Sequence, residues 1–157
     1  MSDRPKGAFY EDLEVGASYT TKGRTVTEAD IVNFAGVTGD YNEMHMSEEF
    51  AQKTPFGKRI AHGMLGLSMS MGLVQQLNLY QETVIAFLGL NWNFKGPILI
   101  GDTIHVVQAI KSKRETKNPE RGIVVWEGKI INQRGEVVQE GEFVELIARR
   151  APLGGQP

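Results

Sequence analysis

The sequence contains no cysteine, and that absence removes several classes of protein together. Without thiolates there is no disulfide scaffold, no zinc finger and no thiol nucleophile, and the chain suits a reducing cytoplasm. Long apolar runs are missing too. A membrane helix needs roughly 20 consecutive apolar residues, and the best stretch, Met64 to Val74, is short and broken by Ser68, Ser70 and Gly72. The opening residues Met1-Ser2-Asp3-Arg4-Pro5-Lys6-Gly7 have no apolar segment behind their charges, so a secretory leader is not expected. The third absence is basic excess. With a formal net charge of −2, the chain lacks the clustered Lys and Arg that phosphate backbones require, and nucleic acid is not an expected partner.

What is present fits one domain. At 157 residues the chain can bury roughly two-thirds of the surface it exposes unfolded, so it needs neither disulfide nor metal to hold a core. No internal repeat or interdomain linker stands out. Residues 9–149 are expected to form the domain, with residues 1–8 and the Pro- and Gly-containing tail 150–157 flexible.

The pattern along the chain predicts a strand over Ser18 to Val26. Thr27 then reads as a helix N-cap with Glu28 and Asp30 in the first turn, where the helix dipole favours negative charge. Ile31, Phe34, Ala35 and Thr38 follow at helical spacing, and Gly39 ends the helix. A loop is expected over Asp40 to His45, then a short helix from Glu48 to Lys53 capped by Ser47. From Met64 to Leu79 apolar residues fall all round the helical wheel, which predicts a buried helix. The period then changes to two over Val84 to Phe94, followed by strands over Thr103 to Lys111, Gly122 to Asn132 and Val137 to Ala148. The expected fold class is α+β, with an antiparallel sheet wrapped around one long central helix. An open sheet of this kind has edges, and pairing two copies edge to edge predicts a homodimer.

Two segments carry residue types suited to chemistry. Gly39-Asp40-Tyr41-Asn42-Glu43-Met44-His45 brings a carboxylate, an amide and an imidazole together just past a helix end. Asp40 and Asn42 are ordinary turn formers. The same residues also suit an acid–base pair, because an imidazole exchanges protons near neutral pH and a nearby carboxylate can share a water with it. The second segment, Arg59-Ile60-Ala61-His62-Gly63-Met64-Leu65, opens the central helix. It could be a plain tight helix start. Alternatively, with no side chain at Gly63, the free N–H groups of the helix end could stabilise a carbonyl oxygen gaining charge. His105, in an alternating strand, reads as a sheet residue.

Gly39-Asp40-Tyr41-Asn42-x-x-His45, followed seventeen residues later by His62-Gly63-Met64-Leu65, resembles the MaoC-like dehydratases and (R)-specific enoyl-CoA hydratases. Glu11-Asp12-Leu13-Glu14-Val15-Gly16, Phe94-Lys95-Gly96-Pro97 and Gly101-Asp102 look like the same family, so the resemblance covers about residues 10–148. It implies a single hot-dog domain that adds water to a trans-2-enoyl-CoA thioester, or removes it from a 3-hydroxyacyl-CoA. It also implies Asp40 and His45 as the catalytic pair, the Gly63 amide as oxyanion donor, and Asn42, His62 and Met64 as substrate-binding. No metal or organic cofactor is implied. The family pattern usually places Pro after the Asn, and Glu43 stands there instead, either relaxing the loop or adding a carboxyl group near the site.

Two other functions were weighed. A hot-dog thioesterase usually places a carboxylate on the central helix, and Met64 to Leu79 contains no Asp or Glu. A non-catalytic acyl-thioester-binding subunit should have lost the Asp or the His, and both are here. The basic residues Lys111, Lys113, Arg114, Lys117 and Arg121 could clamp coenzyme A phosphates but read better as a solvated loop. Met64, Met69, Met71 and Phe56 could line an acyl pocket or simply pack the core.

Overall fold

The computed structural model describes residues 7–150. The tail from Ala151 to Pro157 and residues 1–6 lie outside them. Of the remaining end residues, Ala8 donates its N–H to the Leu79 carbonyl and Arg150 pairs with Asp12. After a turn of 3-10 helix at Tyr10–Asp12 come β1 (Ser18–Thr20), β2 (Arg24–Thr25), α1 (Glu28–Thr38), α2 (Glu43–Met46), α3 (Glu48–Gln52) and α4 (Gly63–Gln75). The long strands β3 (Val84–Phe94), β4 (Thr103–Glu115), β5 (Arg121–Asn132) and β6 (Val137–Ala148) complete the chain. The sheet is antiparallel with order β1-β4-β5-β6-β3, and β2 also pairs with β4.

The core lies between the inner face of the sheet and α4. Leu65, Met69, Leu73 and Val74 of the helix belong to one buried cluster with Ile104, Val106 and Ile110 of β4, Val124, Trp126 and Ile130 of β5, and Phe143 and Ile147 of β6. This is the hot-dog arrangement expected from the sequence: a curled sheet around one helix. Helix α1 begins and ends as its residues dictate. The Thr27 hydroxyl accepts from the Asp30 N–H, Asp30 returns the bond to the Thr27 N–H, and Gly39 closes the helix at φ +76°, a left-handed turn that glycine adopts without strain.

Several boundaries differ from expectation, each for a local reason. The strand over Ser18 to Val26 is two short pieces, because Thr20 pairs with Val107 and Arg24 with Ile104, a register slip. At the break the Thr21 hydroxyl accepts the Val106 N–H in place of a backbone carbonyl. The Asp40 to His45 loop gives way at Glu43 to the single helical turn α2, started by the Asn42 side chain accepting the Met44 N–H. Helix α4 stops at Gln75 and is not buried all round: Met64, Ser68, Gly72 and Gln75 form an exposed stripe.

Strand β3 breaks its own period of two. Register shifts fall between Val84 and Ala86 and between Phe87 and Gly89, so Ile85, Phe87, Leu88, Leu90 and Phe94 are all substantially exposed. Strand β4 runs four residues beyond Lys111, which draws much of the supposed basic loop into the sheet. Lys111 pairs with Glu142, and Lys113 donates to the carbonyls of Tyr10 and Leu13 while sitting over the Tyr10 ring. These two lysines therefore serve the fold. Asp102 does likewise: it is buried and accepts from the Leu99 N–H, Gln133 and Arg134. Burial alone would raise its carboxyl, but these donors outweigh it and hold it below the usual carboxylate range.

Candidate active site

The turn after α1 and the start of α4 meet in space. Thr38 accepts the Asp40 N–H, and an Asp40 carboxylate oxygen accepts the Asn42 N–H, which fixes the carboxylate at the head of the turn with its side chain exposed. One helical turn later His45 is buried, its Nδ1 2.8 Å from the Ile60 carbonyl oxygen. A carbonyl only accepts, so Nδ1 carries a proton and Nε2 is the nitrogen left to exchange one. His62, 2% exposed, places Nε2 2.9 Å from the Asp40 carbonyl oxygen, and its Nδ1 is buried without a partner among the described residues. The two imidazoles pack against one another, centroids 3.9 Å apart and planes tilted by 31°.

Asp40, His45 and His62 each offer one ligand-type atom within 4.8 Å of the others, and they form the one such group of three among the described residues. Two imidazoles and a carboxylate can hold a divalent metal. A carboxylate and an imidazole lone pair at this range can equally grip one water molecule and move its protons.

A cavity of about 470 Å³ adjoins this cluster, and both His45 and Gly63 line it. Apolar side chains make most of the lining: Met44, Phe56, Ile60, Phe94, Pro97 and Ile98. His62 is the N-cap residue of α4 but supplies no side-chain cap. The N–H groups of Gly63 and Met64 therefore stand without an acceptor among the described residues, at the positive end of a 13-residue helix. Gly63 is tightly bounded: a Cβ there would come within 2.9 Å of the Phe94 ring.

The residues singled out from sequence thus separate. His45 and Gly63 line the cavity, Asp40 stands beside His45 outside that lining, and His62, also outside it, braces the Asp40 main chain. Asn42 spends its side-chain oxygen on capping α2. Met64 is 53% exposed and does not line the cavity. Of the possible acyl-pocket residues, Phe56 lines the cavity while Met69 is core. Glu43 occupies the first position of α2, where proline and acidic residues are both favoured, so its replacement of proline leaves the turn intact. Gln139, which sequence reasoning passed over, is buried in the cavity floor.

A family model described as MaoC like domain matches residues 12–128. The chain belongs to the MaoC-like family. Within it, the chain is 38% identical over 100 residues to the 3-hydroxybutyryl-CoA dehydratase of Methylorubrum extorquens, covering 62% of this chain but only 60% of that protein. It is 32% identical to the (R)-specific enoyl-CoA hydratase of Rhodospirillum rubrum, covering 90% of this chain and 93% of that one. The crystal structure of the MaoC-like dehydratase from Rhodospirillum rubrum superposes with a TM-score of 0.84 at 32% identity, over 92% and 99% of the two chains. No helix among the described residues is long and apolar enough to cross a membrane.

Proposed function

We propose that this MaoC-like chain catalyses the reversible, (R)-specific hydration of a trans-2-enoyl-CoA thioester to the 3-hydroxyacyl-CoA. The observation that carries this reading is that one cavity is lined by both His45, which has Asp40 within 4.8 Å, and Gly63 at the open first turn of α4. The thioester carbonyl accepts from the Gly63 N–H, which draws electron density from the double bond and makes the β carbon electrophilic. A water held between Asp40 and His45 loses a proton to one of them, its oxygen bonds to the β carbon, and a proton is delivered to the α carbon. The sum is one water added across one double bond. The apolar lining suits the acyl chain. The two relatives whose names refer to CoA thioesters support the substrate class.

A homodimer is part of the proposal. Strand β3 is an 11-residue edge that pairs on one side only among the described residues, with five large apolar side chains exposed. Such an edge is a template for pairing, and a second β3 running antiparallel would continue the sheet across two copies.

The test is hydration of crotonyl-CoA, followed by loss of enoyl-thioester absorbance, for the wild type beside Asp40→Asn and His45→Gln. Activity in the wild type and a fall of roughly a hundredfold or more in each variant are expected, the scale of losing a general acid or base. A wild type inert toward short, medium and branched enoyl thioesters overturns the reading.

A further inference from the structure

Beneath the open end of α4 lies an arrangement that the hydration chemistry alone does not require. The Gln139 side chain, on β6 and 2% exposed, donates from Nε2 to the Gly63 carbonyl at 3.0 Å. Its Oε1 accepts from the Trp92 indole Nε1 at 3.0 Å. Both ends are chemically fixed, because an indole N–H can only donate and a carbonyl can only accept. The amide therefore has one orientation, and it links edge strand β3 to the first residue of α4.

Three glycines make room for this link. A Cβ at Gly66 would come within 2.5 Å of Gln139 Nε2. On the sheet, Trp92 pairs with Gly141 and Gly141 with Gly128 in one cross-strand row. A Cβ at Gly141 would come within 2.7 Å of Trp92 Cε3, and one at Gly128 within 3.3 Å of Trp92 Cη2. The indole thus lies across two bare backbone positions and cannot move without leaving its slot.

We infer that Gln139, held by Trp92, is a positioning residue that fixes the Gly63 peptide so that the first-turn N–H groups of α4 meet the reacting carbonyl; this rests on the hydratase reading above. Glycine has the greatest backbone freedom of any residue, and a catalytic donor is effective only within about 0.5 Å of its productive position. Gly63 is held on its N-terminal side by His62, which is tied to Asp40, and on its carbonyl side by Gln139. Moreover, a bond accepted by the Gly63 carbonyl polarises the N–H of the same peptide unit, that of Met64, and strengthens it as a donor. The link also ties the geometry of the site to the edge strand, so whatever pairs with β3 acts on the site through Trp92.

The experiment uses full-length protein and crotonyl-CoA, with Gln139→Met, Trp92→Phe and the double variant. Removing an interaction made in the transition state lowers kcat and kcat/KM together. Gln139→Met is therefore expected to lose about tenfold in kcat with KM changed by less than about threefold. Trp92→Phe should lose less in the same manner, and the double variant should match Gln139→Met, since residues acting as one unit are not additive. The pH–rate profile should keep its shape, because Asp40 and His45 are untouched. Gln139→Leu, which likewise offers Gly63 no donor, is the second variant if Gln139→Met does not fold. A folded Gln139 variant with wild-type kcat, a loss confined to KM, or losses that multiply in the double variant overturns the inference. An activity-free measurement separates it from the hydratase reading: the amide resonance of Gly63 followed by NMR during titration with butyryl-CoA, which cannot be hydrated. The inference expects a shift in the wild type that shrinks by half or more in Gln139→Met. Equal shifts in both, or none in either, overturn it even if hydratase activity is found. A shift that shrinks in a protein inert to enoyl thioesters upholds the link and overturns only the reaction.

Discussion

The rings of His45 and His62 lie 3.9 Å apart at their centroids, tilted by 31°, and each has one nitrogen against a main-chain carbonyl. His45 is anchored to Ile60, just before α4, and His62 to Asp40, just after α1. Each imidazole thus pins the backbone segment that carries or precedes the other. The two rings form a clasp between two parts of the chain 22 residues apart.

His62→Phe keeps a flat ring against His45 but cannot donate to the Asp40 carbonyl. We expect kcat to fall by about tenfold through a loosened Asp40, and stability to fall by about 1–2 kcal/mol, the scale of one buried hydrogen bond with an orphaned carbonyl. Steady-state kinetics beside thermal unfolding measures both. A variant with wild-type kcat would show that the Asp40 turn holds itself.

Edge pairing predicts that Leu88→Lys, placing a charge in the middle of β3, dissociates the dimer. Light scattering after gel filtration should give twice the 17.4 kDa chain mass for the wild type and the single mass for the variant. A monomeric wild type would show that β3 is left free or is covered by something else.

Glu145 predicts a pH dependence of stability. Its carboxyl is buried on β6 facing Tyr80 and Trp126, and burial pushes it up to about 7, against an ordinary carboxylate value of 4.5. One carboxyl oxygen, the Tyr80 hydroxyl and the Trp126 N–H lack partners in the described residues. Because the folded value is raised, the folded protein holds this proton more tightly than the unfolded chain does. The contribution to stability is full below about pH 4.5 and is lost as pH rises through about 7. Glu145→Gln should therefore gain on the wild type between pH 6 and pH 8. Unfolding midpoints for the pair at each pH test this, and a difference flat with pH would refute it.

The donor set of Asp40, His45 and His62 predicts inhibition by zinc. Micromolar Zn²⁺ should suppress hydration and EDTA should restore it, because imidazole and carboxylate ligands suit that ion, while Mg²⁺, which favours all-oxygen sites, should have little effect. Isothermal titration with His62→Asn should show weakened zinc binding.

The limits of α1 and β6 were legible in the sequence, since caps, glycines and alternation act locally, whereas the end of β4 was not. His45 and Gly63, which line the cavity, were legible because they come with a spacing that resembles a family. What escaped depends on contacts distant in sequence. The two bulges in β3 and the exposed stripe of α4 follow from how the sheet curls and where it ends. Gln139 was passed over because one glutamine in a strand resembles any solvent-facing polar residue. The available signal was its phase: Gln139, Gly141, Phe143, Glu145 and Ile147 share one alternation, so a glutamine and a glutamate fall on the same face as Phe143 and Ile147.

The bare row under Trp92 also constrains how this chain can change. A side chain at Gly141 collides with the indole and the Asn91 carbonyl, one at Gly128 crowds the indole, and shrinking Trp92 leaves a trough over two glycines and an orphaned amide oxygen on Gln139. Gly66 is bound to the same set through Gln139. Five positions on four different elements therefore form one lock, and a descendant that abandons it must replace several tumblers at once or pass through a less stable protein.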